Sequence, residues 1–528
     1  MIDRTRGLVS LGVVAVLVMS VLASPWSRKI SDGPNIVLIL SDDQSIDTIP
    51  HDPAVMPFLQ SRVQDPNDHW LTFTNGFIND PLCCPARASI FTGQYAHNSG
   101  VLKNAYGDRL REDSTFATWL HGVGYFTGFY GKYENQYPFH RDPYVPPGWD
   151  QWAAKLHGGV ETVYYDYTLY QAPGGLAHYG SQPSEYMPDL LANKAVEFIQ
   201  IAPLGRPFFL EYAPTSPHAP WVPPPSQTNA IPPESPATVR PNVNEVNVSD
   251  KPRWVQSQTE MPPARLQQMQ DDQRAEEAAL ISMDDAVAAI VGALEAKGIL
   301  DDTVIIYLTD NGYSYGSHRW VAKRCEYEEC NATPFFVRLP GATPHDVTAP
   351  VSNVDLAPTF AALAGAVPDI PVDGLSLLPL FSGGSLRTER PGVLLEWPGD
   401  PTVPPYFGIR TEDFLYVELR TGEVELYDLT GVRGEPDPYE LHNVAYDKRY
   451  RSLRQQLALE LLQLKGGPLE WPPISTAAEV KAASPSPSPS TALRPRRGRS
   501  GEPPRILPRA APGPWVTHPV RVRAWVPA

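Results

Sequence analysis

Continuous apolar runs bounded by turn residues constrain the fold of this chain more than any other feature. Residues 35–40 (NIVLIL) and 303–309 (TVIIYLT) are two such runs, and residues 207–212 (PFFLEY) form a third. Runs of this kind are typical of strands buried on both faces of a parallel sheet. Residues 274–297 carry apolar side chains at helical spacing and precede Gly298, which predicts a long helix with a glycine stop. Helices between buried strands predict an α/β sandwich.

The composition bounds the class of protein. The chain has 528 residues, 42% of them hydrophobic, so it can bury a large core and should contain more than one structural unit. Its formal net charge of −16 argues against a nucleic-acid partner, so that any anion must be bound by a local basic pocket. Many of the 59 prolines fall in residues 214–263 and in the C-terminal tail, which predicts irregular surface chain over the first of these segments.

The sequence divides into a main body, a smaller C-terminal part and a tail. Strand-like and helix-like segments alternate over residues 34–375, which we predict to be one α/β domain. Short strand-like runs separated by turn residues follow in residues 376–470, which predicts a smaller α+β subdomain with an antiparallel sheet. Residues 471–528 are rich in Pro, Ser and Arg, which predicts a disordered tail.

Residues 1–30 predict an export signal. Two arginines precede a mostly apolar run over residues 8–23, and small residues lie at its end. A basic start, an apolar core and small residues are the parts of a cleavable leader. The alternative is an uncleaved N-terminal anchor. Under that alternative, the anchor would be the only part of the chain in contact with a membrane. Either way, the sequence predicts an exported protein that is secreted, periplasmic or held at the cell surface.

Oxygen-bearing side chains directly follow two of the predicted strands. Asp42 and Asp43 come after the first apolar run, and Asp310 and Asn311 come after the run at residues 303–309. Because α/β sheets bind ligands at the carboxyl ends of their strands, the two clusters can converge on one cation. Carboxylate and amide oxygens favour calcium, or magnesium, over zinc. Either cluster alone also suits a turn or a helix N-cap, and that alternative stays open for each.

The chain contains four cysteines, at positions 83, 84, 325 and 330. Cys325 and Cys330 are close enough in sequence to close a small disulfide loop outside the cytosol. A zinc site built from all four is a competing explanation. Adjacent ligands and a four-residue gap do not match the usual paired spacing of zinc ligands, which disfavours it.

The segment around the first two cysteines carries the most specific motif. Residues 83–93 (CCPARASIFTG) resemble the signature C-x-P-x-R-x(4)-T-G of type I sulfatases, a family with the α/β/α sandwich of the alkaline phosphatase type. The resemblance implies that a formylglycine-generating enzyme oxidises Cys83 to formylglycine, whose hydrated aldehyde attacks the sulfur of a sulfate ester. It also counts Cys83 among the metal ligands, assigns Arg87 to hold the hydrate, and makes residues 34–375 the catalytic domain. Cys84 would be left as an odd, buried thiol.

Further residues match motifs of the same family. Lys132 lies in a Gly-Lys pair whose lysine, in the family, positions the hydrate and the sulfate. His218 lies in a turn similar to S-P-H-x-P, whose histidine contacts the leaving-group oxygen and can donate a proton to it. Residues 316–329 resemble the segment G-x-H-x(4)-K-x(3)-Y-E-E. This match implies that Lys323 grips the sulfate and that His318 is a substrate contact.

Two positions are less well defined by the resemblance. His97 follows the signature closely and is expected to line the pocket. Many sulfatases have a histidine two residues after the lysine of the Gly-Lys pair, where this chain has Glu134, so the base of the second step is unassigned. Without the matching spacing, ordinary loop residues would be the alternative explanation for these lysines and histidines.

The sequence therefore predicts a metal-dependent sulfuric ester hydrolase that acts on aryl or carbohydrate sulfates. Residues 83–85, 240–242 and 251–254 are similar to the N-acetylglucosamine-6-sulfatase branch of the family, which makes N-acetylglucosamine 6-sulfate a candidate substrate. Two alternatives stay open. One is a phosphonate or phosphate ester hydrolase of the same fold, and the other is a non-catalytic protein that binds sulfated glycans with Cys83 unconverted.

Overall fold

The computed structural model describes most of the chain between the predicted leader and the predicted tail. The described residues are 32–468, without residues 52–53, 159–162, 228–238 and 387–389. The export signal expected in residues 1–30 and the tail expected in residues 471–528 lie outside these residues. The predicted boundary between residues 375 and 376 stays a prediction.

The described residues form short and long strands and helices in alternation. The strands are β1 (Asn35–Ser41), β2 (Trp70–Phe73), β3 (Gly76–Phe77), β4 (Phe126–Gly131), β5 (Gln151–Lys155), β6 (Tyr167–Ala172), β7 (Gly175–Tyr179), β8 (Phe208–Ala213), β9 (Thr303–Thr309), β10 (Ser314–Tyr315), β11 (Val321–Ala322), β12 (Phe335–Arg338), β13 (His345–Val347), β14 (Val351–Ser352), β15 (Val393–Trp397), β16 (Tyr406–Arg410), β17 (Phe414–Leu419) and β18 (Val424–Asp428). The helices are α1 (Pro57–Gln64), α2 (Cys83–Thr92), α3 (Ala96–Ser99), α4 (Phe116–Gly122), α5 (Met187–Ile201), α6 (Arg253–Gln256), α7 (Pro263–Lys297), α8 (Glu328–Asn331), α9 (Leu356–Ala364), α10 (Leu378–Phe381) and α11 (Arg451–Leu464).

A large mixed sheet forms the centre of the fold. Within the described chain its order is β13-β2-β12-β9-β1-β8-β4-β5-β6-β7. The five strands from β9 to β5 run parallel, while β12 at one side and β6 and β7 at the other are antiparallel to their neighbours. The three predicted buried strands are therefore β1, β8 and β9, which lie next to one another. Their carboxyl ends meet at one edge of the sheet, where ligands bind in such folds.

Helices cover both faces of this sheet, because successive side chains of its strands point to opposite sides. In β1, Ile36 and Leu38 pack in a core with residues of α2, α4 and α9. Val37 and Ile39 pack in a second core with residues of α1, α5 and α7. This arrangement confirms the predicted α/β/α sandwich.

The long predicted helix begins earlier than the sequence indicated. The structure has α7 from Pro263 to Lys297, with a proline in its first turn, whereas the apolar periodicity indicated a start at residue 274. The extra turns are mostly exposed and polar, so they carry no apolar pattern from which a helix could be recognised. Gly298 ends the helix at φ +71°, a conformation that favours glycine, as expected.

A smaller sheet follows in the C-terminal part, and its four described strands run in the antiparallel order β15-β16-β17-β18. The three strand-like runs recognised in the sequence correspond to β16, β17 and β18, whereas β15 was not recognised. Helix α11 packs on the sheet through Leu453, Leu457 and Leu461, which recur at helical spacing. The predicted small antiparallel sheet is thus confirmed.

Glu211 is an unusual residue of the central sheet, because it is fully buried in β8 and neither carboxylate oxygen has a hydrogen-bond partner among the residues that the structure describes. Burial raises the pKa of Glu211 to about 8, against the opposing effect of Arg87. A glutamate in an unfolded chain titrates near pH ~4.3, so the unfolded state releases this proton first. The free energy of unfolding is therefore highest below that pH, and it falls as the pH rises towards 8.

We therefore predict that Glu211→Gln stabilises the protein only in alkaline solution. The variant should match the wild type in Tm near pH 5 and exceed it by about 3–6 °C at pH 9, because the amide cannot ionise. Differential scanning calorimetry across this range measures the effect. Glu197→Gln, the same change at an exposed position of α5, is the control and should shift Tm equally at both pH values. A constant difference between wild type and Glu211→Gln at all pH values would contradict the prediction.

Candidate active site

The loops after the central parallel strands bring the predicted acidic residues together. The backbone N–H of Asp42, which directly follows β1, donates a hydrogen bond to the carbonyl oxygen of Ser216 at 3.0 Å. The next N–H, of Asp43, donates to Oδ1 of Asp310 at 3.1 Å. Asp43 has φ +66°, a left-handed conformation that aspartate tolerates better than most residues. Residues far apart in sequence are thus joined within one buried cluster.

Cys83 is the first residue of α2, and it faces this cluster. Its side chain is buried, with Sγ 3.9 Å from Oδ1 of Asp42 and 4.0 Å from Oδ1 of Asp43. Lys323 donates a hydrogen bond from Nζ to this sulfur at 3.0 Å. Burial raises the pKa of Cys83 to about 11, although Lys132 and Lys323 oppose the rise. The unmodified side chain is therefore a protonated thiol at neutral pH.

Arg87 lies one helical turn after Cys83 and connects α2 to two strand ends. Its Nε donates to Oδ2 of Asp310 at 2.9 Å, and Nη1 donates to the carbonyl oxygen of Lys132 at 2.7 Å. Its Nη2 is buried without a hydrogen-bond partner in the described chain and lies 3.8 Å from Oδ2 of Asp42. The guanidinium therefore fixes the position of Cys83 and retains one N–H group that can bind an anion.

Two lysines neutralise the aspartates at the end of β1. Nζ of Lys132 donates to Oδ2 of Asp42 at 2.6 Å, and Nζ of Lys323 donates to Oδ1 of Asp43. Burial opposes ionisation of both carboxyl groups, but the cations outweigh it, and the pKa values of Asp42 and Asp43 are lowered. Both carboxylates therefore stay ionised in a buried site, as metal ligands must.

His218 reaches the same cluster from the loop after β8. Its Nε2 is 3.5 Å from Oδ2 of Asp43, and its Nδ1 donates to the carbonyl oxygen of Ala219 at 2.6 Å. That second bond fixes the ring orientation and leaves Nε2 directed towards the site. The side chain is partly exposed, so it can meet a group that enters from solvent.

Comparison with known proteins identifies the family to which these motifs belong. Residues 34–366 match the family model described as Sulfatase. Residues 316–466 match a second model, described as N-sulphoglucosamine sulphohydrolase, C-terminal. The chain belongs to the sulfatase family.

One curated relative agrees with this assignment, and two solved structures share the fold. N-acetylglucosamine-6-sulfatase of Capra hircus is 32% identical over 469 residues, which cover 79% of this chain and 81% of the goat protein. A solved structure of a protein in complex with its substrate D-glucosamine-2-N,6-O-disulfate matches with a TM-score of 0.69 at 23% identity, covering 82% of this chain and 98% of that one. Phosphonate monoester hydrolase of Agrobacterium radiobacter matches with a TM-score of 0.65 at 22% identity, covering 82% and 95%.

Family membership makes this chain a sulfatase, an enzyme that hydrolyses sulfuric esters, and the two structural likenesses show its fold. Among the described helices of this sulfatase, none has both the length and the apolar character needed to cross a bilayer.

The site of this sulfatase has the donors that a hard divalent cation requires. Ligand atoms of Asp42, Cys83 and Asp310 lie within 4.8 Å of one another, and so do those of Asp42, Asp43 and His218. Asn311 donates from Nδ2 to Oδ1 of Asp43 at 2.8 Å, while its buried Oδ1 has no hydrogen-bond partner among the described residues. A buried amide oxygen without a donor normally costs stability, and coordination of a cation would satisfy it. The residues present therefore fit calcium or magnesium.

The structure does not bring His97 into this cluster. Nδ1 of His97 lies 2.8 Å from Oε2 of Glu396 in β15, and its ring stacks on Tyr95 with the edge of Phe407 nearby. These contacts connect α3 to the small sheet. The expected role of His97 in lining the pocket stays a prediction.

His318 belongs to a second buried cluster. Its side chain is fully buried, with Nδ1 at 2.7 Å from Oε2 of Glu245 and Nε2 accepting a hydrogen bond from Asn242 at 3.2 Å. Its ring packs on Tyr327 at 4.0 Å between centroids. A side chain so enclosed favours a structural role over the substrate contact that the sequence predicted, which stays untested.

We predict that His318→Gln reduces stability far more than substrate binding. Loss of the bond from His318 removes one of the two described partners of the buried Glu245 carboxylate and leaves Lys251, at 3.5 Å. This change should cost about 2–3 kcal/mol, while KM should stay within about twofold. Denaturant unfolding and steady-state kinetics measure the two effects. His218→Gln is the matched comparison, because it should lower kcat with little change in stability. A large rise of KM in a stable His318→Gln protein would support the substrate contact instead.

Glu134, two residues after Lys132, lies on the side of Cys84 rather than Cys83. The backbone N–H of Asn135 donates to Sγ of Cys84 at 3.1 Å, and the buried carboxyl group of Glu134 interacts with the same thiol. Burial raises the pKa of Glu134 to about 8. Cys84 is a free, buried thiol, as expected. The base of the second step stays unassigned.

Cys325 and Cys330 form the predicted disulfide, across a sequence separation of 5 residues. It closes a loop that begins just after Lys323, whose carbonyl oxygen accepts a hydrogen bond from Trp320 Nε1 at 3.0 Å. The bond therefore restrains the segment that carries a site lysine.

We predict that the double variant Cys325→Ala/Cys330→Ala loses about 2 kcal/mol of unfolding free energy, since the unfolded chain regains the freedom of this short loop. Thermal melts with and without a reductant measure the effect. The reductant should shift the wild type to the Tm of the variant and leave the variant unchanged. A reductant shift that persists in the variant would contradict the prediction.

Proposed function

We propose that this sulfatase hydrolyses sulfate monoesters through a formylglycine formed from Cys83, with a divalent cation held by Asp42, Asp43, Asp310 and Asn311. The observation that carries the proposal is the convergence of separate loops on the sulfur of residue 83. Oδ1 of Asp42, the residue directly after β1, lies 3.9 Å from this sulfur. Nζ of Lys323 donates a hydrogen bond to the sulfur at 3.0 Å. A structural cysteine would not need this arrangement of buried charges.

Calcium is the preferred ion, with magnesium as the alternative, because all four ligands offer oxygen. When bound, the cation supplies positive charge for a sulfate oxygen, and the aldehyde hydrate supplies the attacking oxygen.

The protein's own side chains then perform the remaining tasks. Lys132 and Lys323 bind sulfate oxygens, since their ammonium groups already point into the cluster. The unpartnered Nη2 of Arg87 gives a further donor. His218 directs Nε2 towards the cluster, 3.5 Å from Oδ2 of Asp43, where the ring can donate a proton to the leaving-group oxygen.

The substrate we propose is an aryl or carbohydrate sulfate, with N-acetylglucosamine 6-sulfate as the first carbohydrate to test. The goat relative bears the name N-acetylglucosamine-6-sulfatase and covers most of this chain, which supports the choice. We also propose that the protein is exported, as a secreted, periplasmic or cell-surface enzyme, and that a formylglycine-generating enzyme is its partner during maturation. The basic and apolar start of the sequence and the Cys325–Cys330 disulfide support export.

Mass spectrometry of the tryptic peptide that ends at Arg87 tests the mechanism. The expected result is an aldehyde at position 83 and an unmodified thiol at position 84, in a fraction that rises with the specific activity. Intact Cys83 in fully active protein would refute the mechanism. Intact Cys83 in protein that binds sulfated glycans but releases no sulfate would favour the non-catalytic alternative.

A phosphonate or phosphate ester hydrolase is the second candidate, because a phosphonate monoester hydrolase shares the fold over 82% of this chain. Parallel assays with 4-nitrophenyl sulfate and 4-nitrophenyl phenylphosphonate separate the two. We expect the larger kcat/KM for the sulfate, and a much larger value for the phosphonate would overturn the proposed substrate class.

A further inference from the structure

Two aromatic side chains lie beside the site, and none of the proposed catalytic steps uses them. Trp221 lies three residues after His218, and Tyr313 lies two residues after Asn311. Their ring centroids are 6.3 Å apart and their planes are perpendicular. Both residues are partly exposed. We call this pair the aromatic wall.

The aromatic wall borders the same cluster as Cys83. The backbone N–H of Trp221 donates to the carbonyl oxygen of His218 at 3.4 Å, so the tryptophan belongs to the turn that carries the histidine. Tyr313 belongs to the loop of Asn311, whose Nδ2 donates a hydrogen bond to Oδ1 of Asp43 at 2.8 Å, so this loop also enters the cluster. The wall therefore spans the loops after β8 and β9.

Both rings are held in place. Tyr313 packs on Tyr315 with centroids 4.9 Å apart. Trp221 has φ +55°, a left-handed conformation that costs a bulky residue about 1–2 kcal/mol. Such strain persists only where the surrounding structure imposes it, and it concentrates at ligand-binding positions. Here it occurs at a partly exposed residue of the turn that carries His218.

We propose that the aromatic wall binds the ring that bears the sulfate ester, with Trp221 and Tyr313 as specificity-determining residues. The inference rests on the proposed function of the site. An aryl ring or the apolar C–H face of a pyranose can stack on one ring of the wall and meet the edge of the other. An acyclic alkyl sulfate offers the same sulfate without such a face. The wall therefore selects cyclic sulfate esters over acyclic ones.

The test compares Trp221→Ala and Tyr313→Leu with the wild type on 4-nitrophenyl sulfate and on N-acetylglucosamine 6-sulfate. Each variant should raise KM about 3- to 10-fold on at least one of them, with a smaller change in kcat, because stacking acts on binding. The substrate whose KM rises more shows whether the aromatic wall binds the sugar ring or the aryl ring. Trp221→Phe, which keeps a ring, should rescue KM. Tyr446→Ala, at an exposed tyrosine of the C-terminal part, is the control for removal of a surface ring.

Binding measured without turnover separates this inference from the proposed function. In the Cys83→Ala background, titration calorimetry with each ring ester and with ethyl sulfate gives dissociation constants for all variants. We expect Trp221→Ala to weaken the ring esters about 3- to 10-fold and ethyl sulfate by less than about twofold. Equal loss for ethyl sulfate, or no loss for either ring ester, would overturn the proposal. Failure of wild-type enzyme to release sulfate would overturn the proposed function alone.

Discussion

Replacing Cys83 by Ala is expected to lower kcat for sulfate ester hydrolysis by at least about 10⁴-fold, since removal of a nucleophile leaves only binding and electrostatic contributions. Cys84→Ala, one residue further along α2, should leave kcat within about twofold. The contrast follows from the structure. Sγ of Cys83 faces Asp42 and Lys323, whereas Sγ of Cys84 accepts a hydrogen bond from the backbone of Asn135.

Sulfate release from 4-nitrophenyl sulfate measures this pair of variants. Cys84→Ala is expected to lose about 1–2 kcal/mol of stability, because it truncates a fully buried side chain, and its melt checks that it folds. Comparable activity of Cys83→Ala and the wild type would show that another residue supplies the nucleophile. Loss of activity in Cys84→Ala with an unchanged melt would indicate that Cys84, and not Cys83, supplies the nucleophile.

The second large effect is expected for Asp310→Asn, which should lower kcat/KM by about 10²–10³-fold. Oδ2 of Asp310 accepts a hydrogen bond from Arg87 and Oδ1 accepts one from the backbone of Asp43, so the carboxylate joins three parts of the site. An amide group removes a charge that Arg87 and the proposed cation both need. It also places an N–H group where only acceptors fit.

A readout apart from activity is the rise of Tm when calcium is added to chelator-treated protein. A ligand that binds the folded state at 100 times its Kd stabilises it by about 2.7 kcal/mol, so the wild type should show a clear rise and Asp310→Asn little or none. Asp302→Asn is the control, because Asp302 is an exposed aspartate just before β9, at the opposite end of that strand. An unchanged calcium response in Asp310→Asn would exclude this carboxylate as a ligand.

The parts of the fold that could be predicted are those whose signal is local in sequence. The apolar runs of β1, β8 and β9 indicated buried strands because a strand covered on both faces needs apolar side chains at every position. The first turns of α7 could not be predicted, since their exposed side chains carry no period. β15 was missed although Pro391 and Gly392 directly precede it, because its sequence, VLLEW, is too short for its apolar run to distinguish a strand from a helix.

The site shows the same division between local and long-range information. Sequence motifs predicted four site residues that the structure brings together, namely Asp42, Cys83, Lys132 and Lys323. They could be predicted because each lies directly after a strand or at the start of a helix. His318 fitted a motif equally well, yet its environment is set by Glu245, a residue 73 positions away. Trp221 and Tyr313 were not predicted, because the motifs that assign His218 and Asn311 to one site do not include the aromatic residues that follow them.

The position of β1 between β8 and β9 has a consequence for synthesis of the protein. A ribosome must translate residue 309 before the last neighbour of β1 exists, so the acidic cluster can close only late in translation. Until then, the nascent segment around Cys83 has no partner from β9 or its following loop to bury it. The proposed modifying enzyme would therefore have an interval, set by the strand order, in which the thiol of Cys83 is still accessible.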